Sequence, residues 1–212
     1  MSDTSSTTTH RPVASPVRTM ATACVAGAVV AAAGAVLTSA IHTSVSPTVI
    51  SYPYSPGVFR ITETLVIVTH VLTALGPLAL IRSGLLGPGR LARAGSALAV
   101  LGMALIVPAE LGFALFPSAG NQSTTGVVLG AAMGLSVTIA GLGFVLAGVA
   151  ALRARRWPGY GRWTPLLAGA YVFVVMLPVM AAAPSLLFWG IAGWYTCFAL
   201  LGIALRSAAR AS

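Results

Sequence analysis

The chain is 212 residues long with a mean hydropathy of +0.93, and 57% of its residues are hydrophobic against 7% charged. Soluble domains carry about 25% charged residues, so this composition excludes a water-soluble globule and predicts an all-α fold, a polytopic six-helix transmembrane bundle whose first partner is the lipid bilayer. The formal net charge of +9 does not imply nucleic acid, because the twelve basic residues are all Arg and sit mostly in short segments between apolar blocks, where orientation signals belong.

Residues 1–18 are rich in Ser, Thr and Pro, lack an apolar period, and are expected to form a disordered cytoplasmic tail that includes His10, Arg11 and Arg18. The apolar block 19–41 follows. At ~1.5 Å per residue it is long enough to cross a ~30 Å hydrocarbon layer. A cleaved secretory signal is the competing reading, since Thr38-Ser39-Ala40 is a small-residue cleavage site. Secretory apolar regions run to about 7–15 residues, and a retained first helix is preferred.

Further spans are expected over 59–81, 94–116, 126–152, 164–182 and 185–205, closing a transmembrane domain of 19–205 with a short cytoplasmic tail at 206–212. The connections alternate. Arg82, Arg90 and Arg93 separate spans two and three; Arg153, Arg155, Arg156 and Arg162 separate four and five; Arg206 and Arg210 follow span six. The segments 42–58, 117–125 and 183–184 hold no basic residue, and Arg60 alone lies at the other end. The positive-inside rule then puts both termini in the cytoplasm of a bacterial cell and the loop 42–58 outside. Tyr52 and Tyr54 in that loop, and Trp157, Tyr160 and Trp163 at the opposite face, suit the headgroup layers as anchors.

Span four carries Gly126, Gly130 and Gly134, one stripe of a helix on which backbones can approach closely. Packing within the chain is the preferred reading and association with a second copy the other. Pro77 and Pro178 are expected to kink their helices, and Pro108 to free a carbonyl in the turn before Glu110.

Charged groups inside the spans cost about 2.5–3.5 kcal/mol at a helix centre and mark sites. Spans two and three hold Glu63, His70 and Glu110. Counting ~1.5 Å per residue from the outer ends puts Glu63 about 6 Å, Glu110 about 9 Å and His70 about 16 Å deep. Glu63 and His70 are one heptad apart and share a helix face. The three residues are therefore candidates for a ligand- or proton-binding site, with Thr38, Ser39, Ser136, Trp189 and Trp194 at similar depth. The plainer readings are a Glu63–Arg60 pair, a His70 strut between helices, and a Glu110 carboxyl bonded to a neighbouring helix.

No P-loop, GxSxG, HExxH or dinucleotide fingerprint occurs, so no catalytic residue is assigned. Cys24 and Cys197 lie in apolar blocks without a CxxC, no second mid-membrane His exists for haem, and Asp3 is the only Asp. Neither cofactor nor metal is expected. In its six spans and long first outer loop the chain resembles small six-span bacterial membrane proteins of unknown function, a likeness of layout carrying no motif. The leading functional expectation is binding or transport of a small or lipophilic ligand, or of protons, through an outward-facing polar cavity. The alternative is a non-catalytic subunit or scaffold that packs against a membrane partner or another copy of itself.

Overall fold

A computed structural model describes residues 14–211. Helix α1 spans Ala14–Ser39, α2 Pro56–Arg82, α3 Arg90–Leu115 and α4 Thr124–Ala154. After a 3-10 turn at Gly159–Trp163, the fifth span consists of α5 (Thr164–Tyr171), a π turn (Val172–Met176) and α6 (Leu177–Ala182). A second 3-10 turn, Pro184–Leu186, leads into α7 (Leu187–Ala211). Six stretches are long and apolar enough to cross a bilayer: Pro16–Ser39, Pro56–Arg82, Arg90–Leu115, Thr124–Ala154, Gly159–Ala182 and Leu187–Arg210. The protein is an all-α, multi-pass membrane protein.

The helices outrun the apolar blocks because polar and basic flanks continue them. Pro56 occupies the first position of α2, where its missing N–H costs nothing. Ser123 caps α4 by accepting from Gly126 N at 3.2 Å. At the Arg-bearing end, long side chains keep their charge in water while the backbone stays helical. Helix α1 begins at Ala14, five residues before the expected start of the span, so Arg18 lies inside it. The expected disordered tail otherwise falls on residues 1–13, which lie outside the described residues together with Asp3, His10 and Arg11.

The six spans form a ring in chain order. Each packs on the next, and α7 closes the ring by packing against both α5 and α1. Helix α1 is held within it, with Ala21, Cys24 and Ala28 fully buried. Cys24 rests against Gly76 of α2, and Cys197 is also buried as a free thiol. The ring interior is filled by Phe144 of α4 and Phe198 of α7, edge to face at 5.2 Å, with Met103, Ile106, Leu201 and Leu205 around them.

At the end opposite the arginines, the connections 40–55 and 116–123 form one cap. Ile50 N donates to Ala119 O at 3.0 Å, Ser51 N to Pro117 O at 2.9 Å, and Asn121 N to Thr48 O at 2.7 Å. The hydroxyls of Thr38 and Tyr54 lie 2.7 Å apart and tie the cap to α1. Tyr54 is thus half-buried in a protein contact, whereas Tyr52, Tyr160 and Trp163 are exposed. Trp157 differs from the expectation of an interface anchor. Only 2% of it is exposed, because Gly161 has no Cβ to keep the indole from folding under the 3-10 turn.

The glycine stripe of α4 needs a larger correction. Nothing lies within 4 Å of a Cβ placed on Gly130 or Gly134, and Gly126 meets only the carbonyls of Gly120 and Asn121 in the preceding loop. The stripe does not pack against another span at this height, because α4 meets α3 there by a different face, with Leu129 against Gly112. Seven residues further along the same face, Gly141 meets Val172 and then Gly148 meets Leu166, both in the fifth span. The tightest helix contact is elsewhere, between α3 and α4: a Cβ on Gly102 would overlap the backbone of Ala140, and one on Gly143 that of Ala99.

Gly102→Leu should therefore separate α3 from α4 and lower thermal stability in detergent by at least the ~1–3 kcal/mol typical of overpacking, while Gly130→Leu should leave monomer stability unchanged. Equal losses in the two variants would contradict this placement.

Candidate functional site

Only three acidic residues occur in the chain, and the two in the described part are both buried inside the bundle. Glu110 lies on α3 five residues before its last, and His70 sits at the middle of α2. Their helices run antiparallel and adjacent, which brings Nδ1 of His70 into contact with Oε1 of Glu110 as a buried ion pair or charge-assisted hydrogen bond. Glu110 is only 2% exposed. Its second oxygen, Oε2, is buried without a hydrogen-bond partner.

Glu63 is two turns from His70 toward the cap, and its carboxyl lies close enough to Glu110 for their charges to interact. It is the more accessible of the two at 9% exposed. Among the described residues it makes no ion pair. Arg60, its expected partner in the plainer reading, is exposed and instead donates from Nε to Ala114 O at 3.4 Å. That contact satisfies one of the unpaired carbonyls in the last turn of α3, where a cation is favoured. The structure therefore brings Glu63, His70 and Glu110 together and leaves Arg60 outside.

A fourth residue joins them. The Tyr195 hydroxyl of α7 lies 3.0 Å from Nε2 and 3.1 Å from Nδ1 of His70. The two rings are tilted by 50° with centroids 5.4 Å apart, and Thr69 lies beside the same hydroxyl. Glu110, His70 and Tyr195 thus form one polar chain across α3, α2 and α7. The sequence reading missed Tyr195. The available signal was the spacing of Tyr195, Phe198, Leu201 and Leu205, which marks one buried face of α7 and obliges a tyrosine on it to find a partner for its O–H.

The other residues at this depth are occupied elsewhere. Thr38 donates to Gly34 O, Ser39 to Val36 O and Ser136 to Ala132 O, so each hydroxyl proton is spent on its own helix. Trp194 donates to Ala168 O at 3.2 Å, and Trp189 is exposed. Among the described residues no three His, Cys, Asp or Glu side chains are grouped as a metal would need.

The charge balance defines what the site can do. Two carboxyls face at most one cation, an imidazolium, so the fully ionised site carries net negative charge in an apolar interior. That state is costly. It is relieved by one bound proton or by a cationic group that reaches Glu110 Oε2.

No protein-family model, curated protein or solved structure matches the chain.

His70→Leu removes the partner of Glu110 Oε1 and leaves a buried carboxylate unpaired, which costs about 3–5 kcal/mol when a buried pair is broken. Glu110→Gln keeps the shape and a hydrogen-bonding group and should cost less. Thermal unfolding in mild detergent checks the order, and a His70→Leu variant as stable as the parent would show that the contact contributes nothing.

Proposed function

We propose that this is a cell-membrane protein with both termini in the cytoplasm, whose Glu63–His70–Glu110 site takes up and releases protons, alone or with a small ligand, from the outer side. The observation that carries this reading is Glu110 itself. It is a carboxyl buried in the spans with one oxygen on His70 and, among the described residues, no partner for the other; a second buried carboxyl, Glu63, makes no ion pair among those residues.

Glu63 is nearest the cap formed by 40–55 and 116–123, and it retains some exposure. Toward the Arg-bearing end the ring is closed by Phe144, Phe198, Leu201 and Leu205, all fully buried. Orientation rests on the ten arginines from Arg18 to Arg210, Arg60 excepted, that gather at one end of the bundle, the end assigned to the cytoplasm by the positive-inside rule. A second reading, a scaffold or oligomer subunit, is favoured by one observation: the face of α4 at Gly130 and Gly134 is open to another helix.

Two experiments test the reading. In a Cys24→Ala, Cys197→Ala background, an impermeant thiol reagent added to intact cells should label Ser46→Cys and spare Tyr160→Cys; the reverse pattern overturns the orientation. For the site, carboxyl infrared difference spectra in vesicles, recorded across a pH series, should show a protonation band. Glu110→Gln should abolish the main band and Glu63→Gln should displace it. If the band survives both substitutions together, neither carboxyl is the proton acceptor.

A further inference from the structure

Segment 153–163 joins α4 to the fifth span at the Arg-bearing end and carries four arginines and three aromatic residues. Arg155, in the left-handed region at φ 51°, ends α4. The chain then forms the 3-10 turn Gly159–Trp163, which packs on both α4 and α7. Thr164 fixes this turn, because its N–H and its hydroxyl both donate to Gly161 O, the hydroxyl at 2.7 Å. The buried indole of Trp157 fills the space beneath.

Arg162 sits on this turn, half-buried, and its Nε is enclosed without a hydrogen-bond partner among the described residues. A guanidinium cannot shed its charge, and a buried donor left unmade costs about 1–3 kcal/mol, more when it is charged. The acceptor nearest in sequence, Gly161 O, already takes two donors from Thr164. No carboxylate serves either. The two in the described part, Glu63 and Glu110, lie toward the opposite end, and the ion pair among the described residues is that of Glu110 with His70. The positive-inside rule asks only for charge at this end; it does not account for a charged donor enclosed without an acceptor.

The surroundings of the turn say what supplies the missing oxygen. Tyr160 is 59% and Trp163 51% exposed, and such rings settle at the depth of the lipid headgroups. The anionic oxygens present at that depth are those of phospholipid phosphates, which the planar fork of arginine matches. Arg153, Arg155 and Arg156, with no carboxylate among the described residues at this end, favour a headgroup of net negative charge over one that brings its own ammonium. Basic hollows between helix ends on the cytoplasmic side of membrane proteins hold acidic headgroups by the same chemistry.

We propose that the turn 159–163 is a binding site for an anionic phospholipid, with Arg162 giving its Nε–H to a phosphate oxygen of the headgroup. The site is separate from the Glu63–His70–Glu110 cluster and stands whether or not that cluster exchanges protons.

The test uses the full chain in mild detergent at about 0.15 M salt, where charges are screened beyond about 8 Å. Phosphatidylglycerol, phosphatidylcholine and inorganic phosphate are added separately, and native mass spectrometry and thermal unfolding report retention and stabilisation. Phosphatidylglycerol should be retained and raise the melting temperature, phosphatidylcholine should bind about tenfold more weakly, and inorganic phosphate at the same concentration should change nothing. Arg162→Gln and Arg162→Lys should each weaken phosphatidylglycerol binding about tenfold, the loss of one charge-assisted hydrogen bond. Arg90→Gln, which removes the same charge from another loop at this end, should weaken it less than about threefold. Equal binding of the two lipids, or a shift reproduced by inorganic phosphate, overturns the proposal on the parent protein alone, even if the Arg162 variants do not fold. An Arg162→Lys variant that binds like the parent, or an equal loss in Arg90→Gln, overturns it too, since charge without the Nε donor would then suffice.

Discussion

Placing a carboxylate inside a hydrocarbon layer forces the surrounding structure to answer for its charge. The effective penalty for burying an ion is several kcal/mol, and only close, well-aligned partners return it. In this chain the answer is supplied by His70 against Glu110, which pins the middle of α2 to the cap-side part of α3, and by Tyr195 against His70, which draws α7 to the same point. Three of the six spans therefore meet at one polar node, and the aromatic and aliphatic filling of the ring begins directly below it with Phe144 and Phe198.

Away from that node the helices are held by close approach. Lipid tails are as apolar as leucine, so no hydrophobic force presses one span on another; contact area and small residues take its place. The α3–α4 seam shows how this works. Gly102 and Gly143 each accept the neighbouring backbone where a side chain would stand. Each helix packs on its neighbour in sequence, so most contacts join spans that are also adjacent in the chain, and the long-range work falls to α7 and to the hydrogen bonds between the two cap loops.

Much of this was legible beforehand, for reasons that differ by feature. The spans follow from block length against bilayer thickness. The meeting of Glu63, His70 and Glu110 follows from the rise per residue and from antiparallel neighbours joined by a short turn. Tyr195 was hidden because no rule of spacing links α7 to α2; only the closure of the ring does that. The glycines of α4 were read on the correct face at the wrong height, since a repeat marks a stripe and cannot say where along it the neighbour lies. Trp157 was misplaced because its burial depends on Gly161, four residues on, in a turn with no periodic signal.

The π turn at Val172–Met176 divides the fifth span into two pieces of different character. Pro178 cannot donate to the carbonyl of Val174, and its ring crowds that carbonyl; widening the preceding turn makes room. An α-helix advances about 100° per residue at 3.6 residues per turn, so the extra residue of a π turn rotates everything after it by roughly that angle relative to a continuous helix. The face that the fifth span lays on α4 through Gly169 and Val172 is consequently turned away by the time the chain reaches α6, none of whose residues is buried. Read as a matter of chain length, this segment is the place in the bundle where losing one residue would preserve a helix yet exchange its faces.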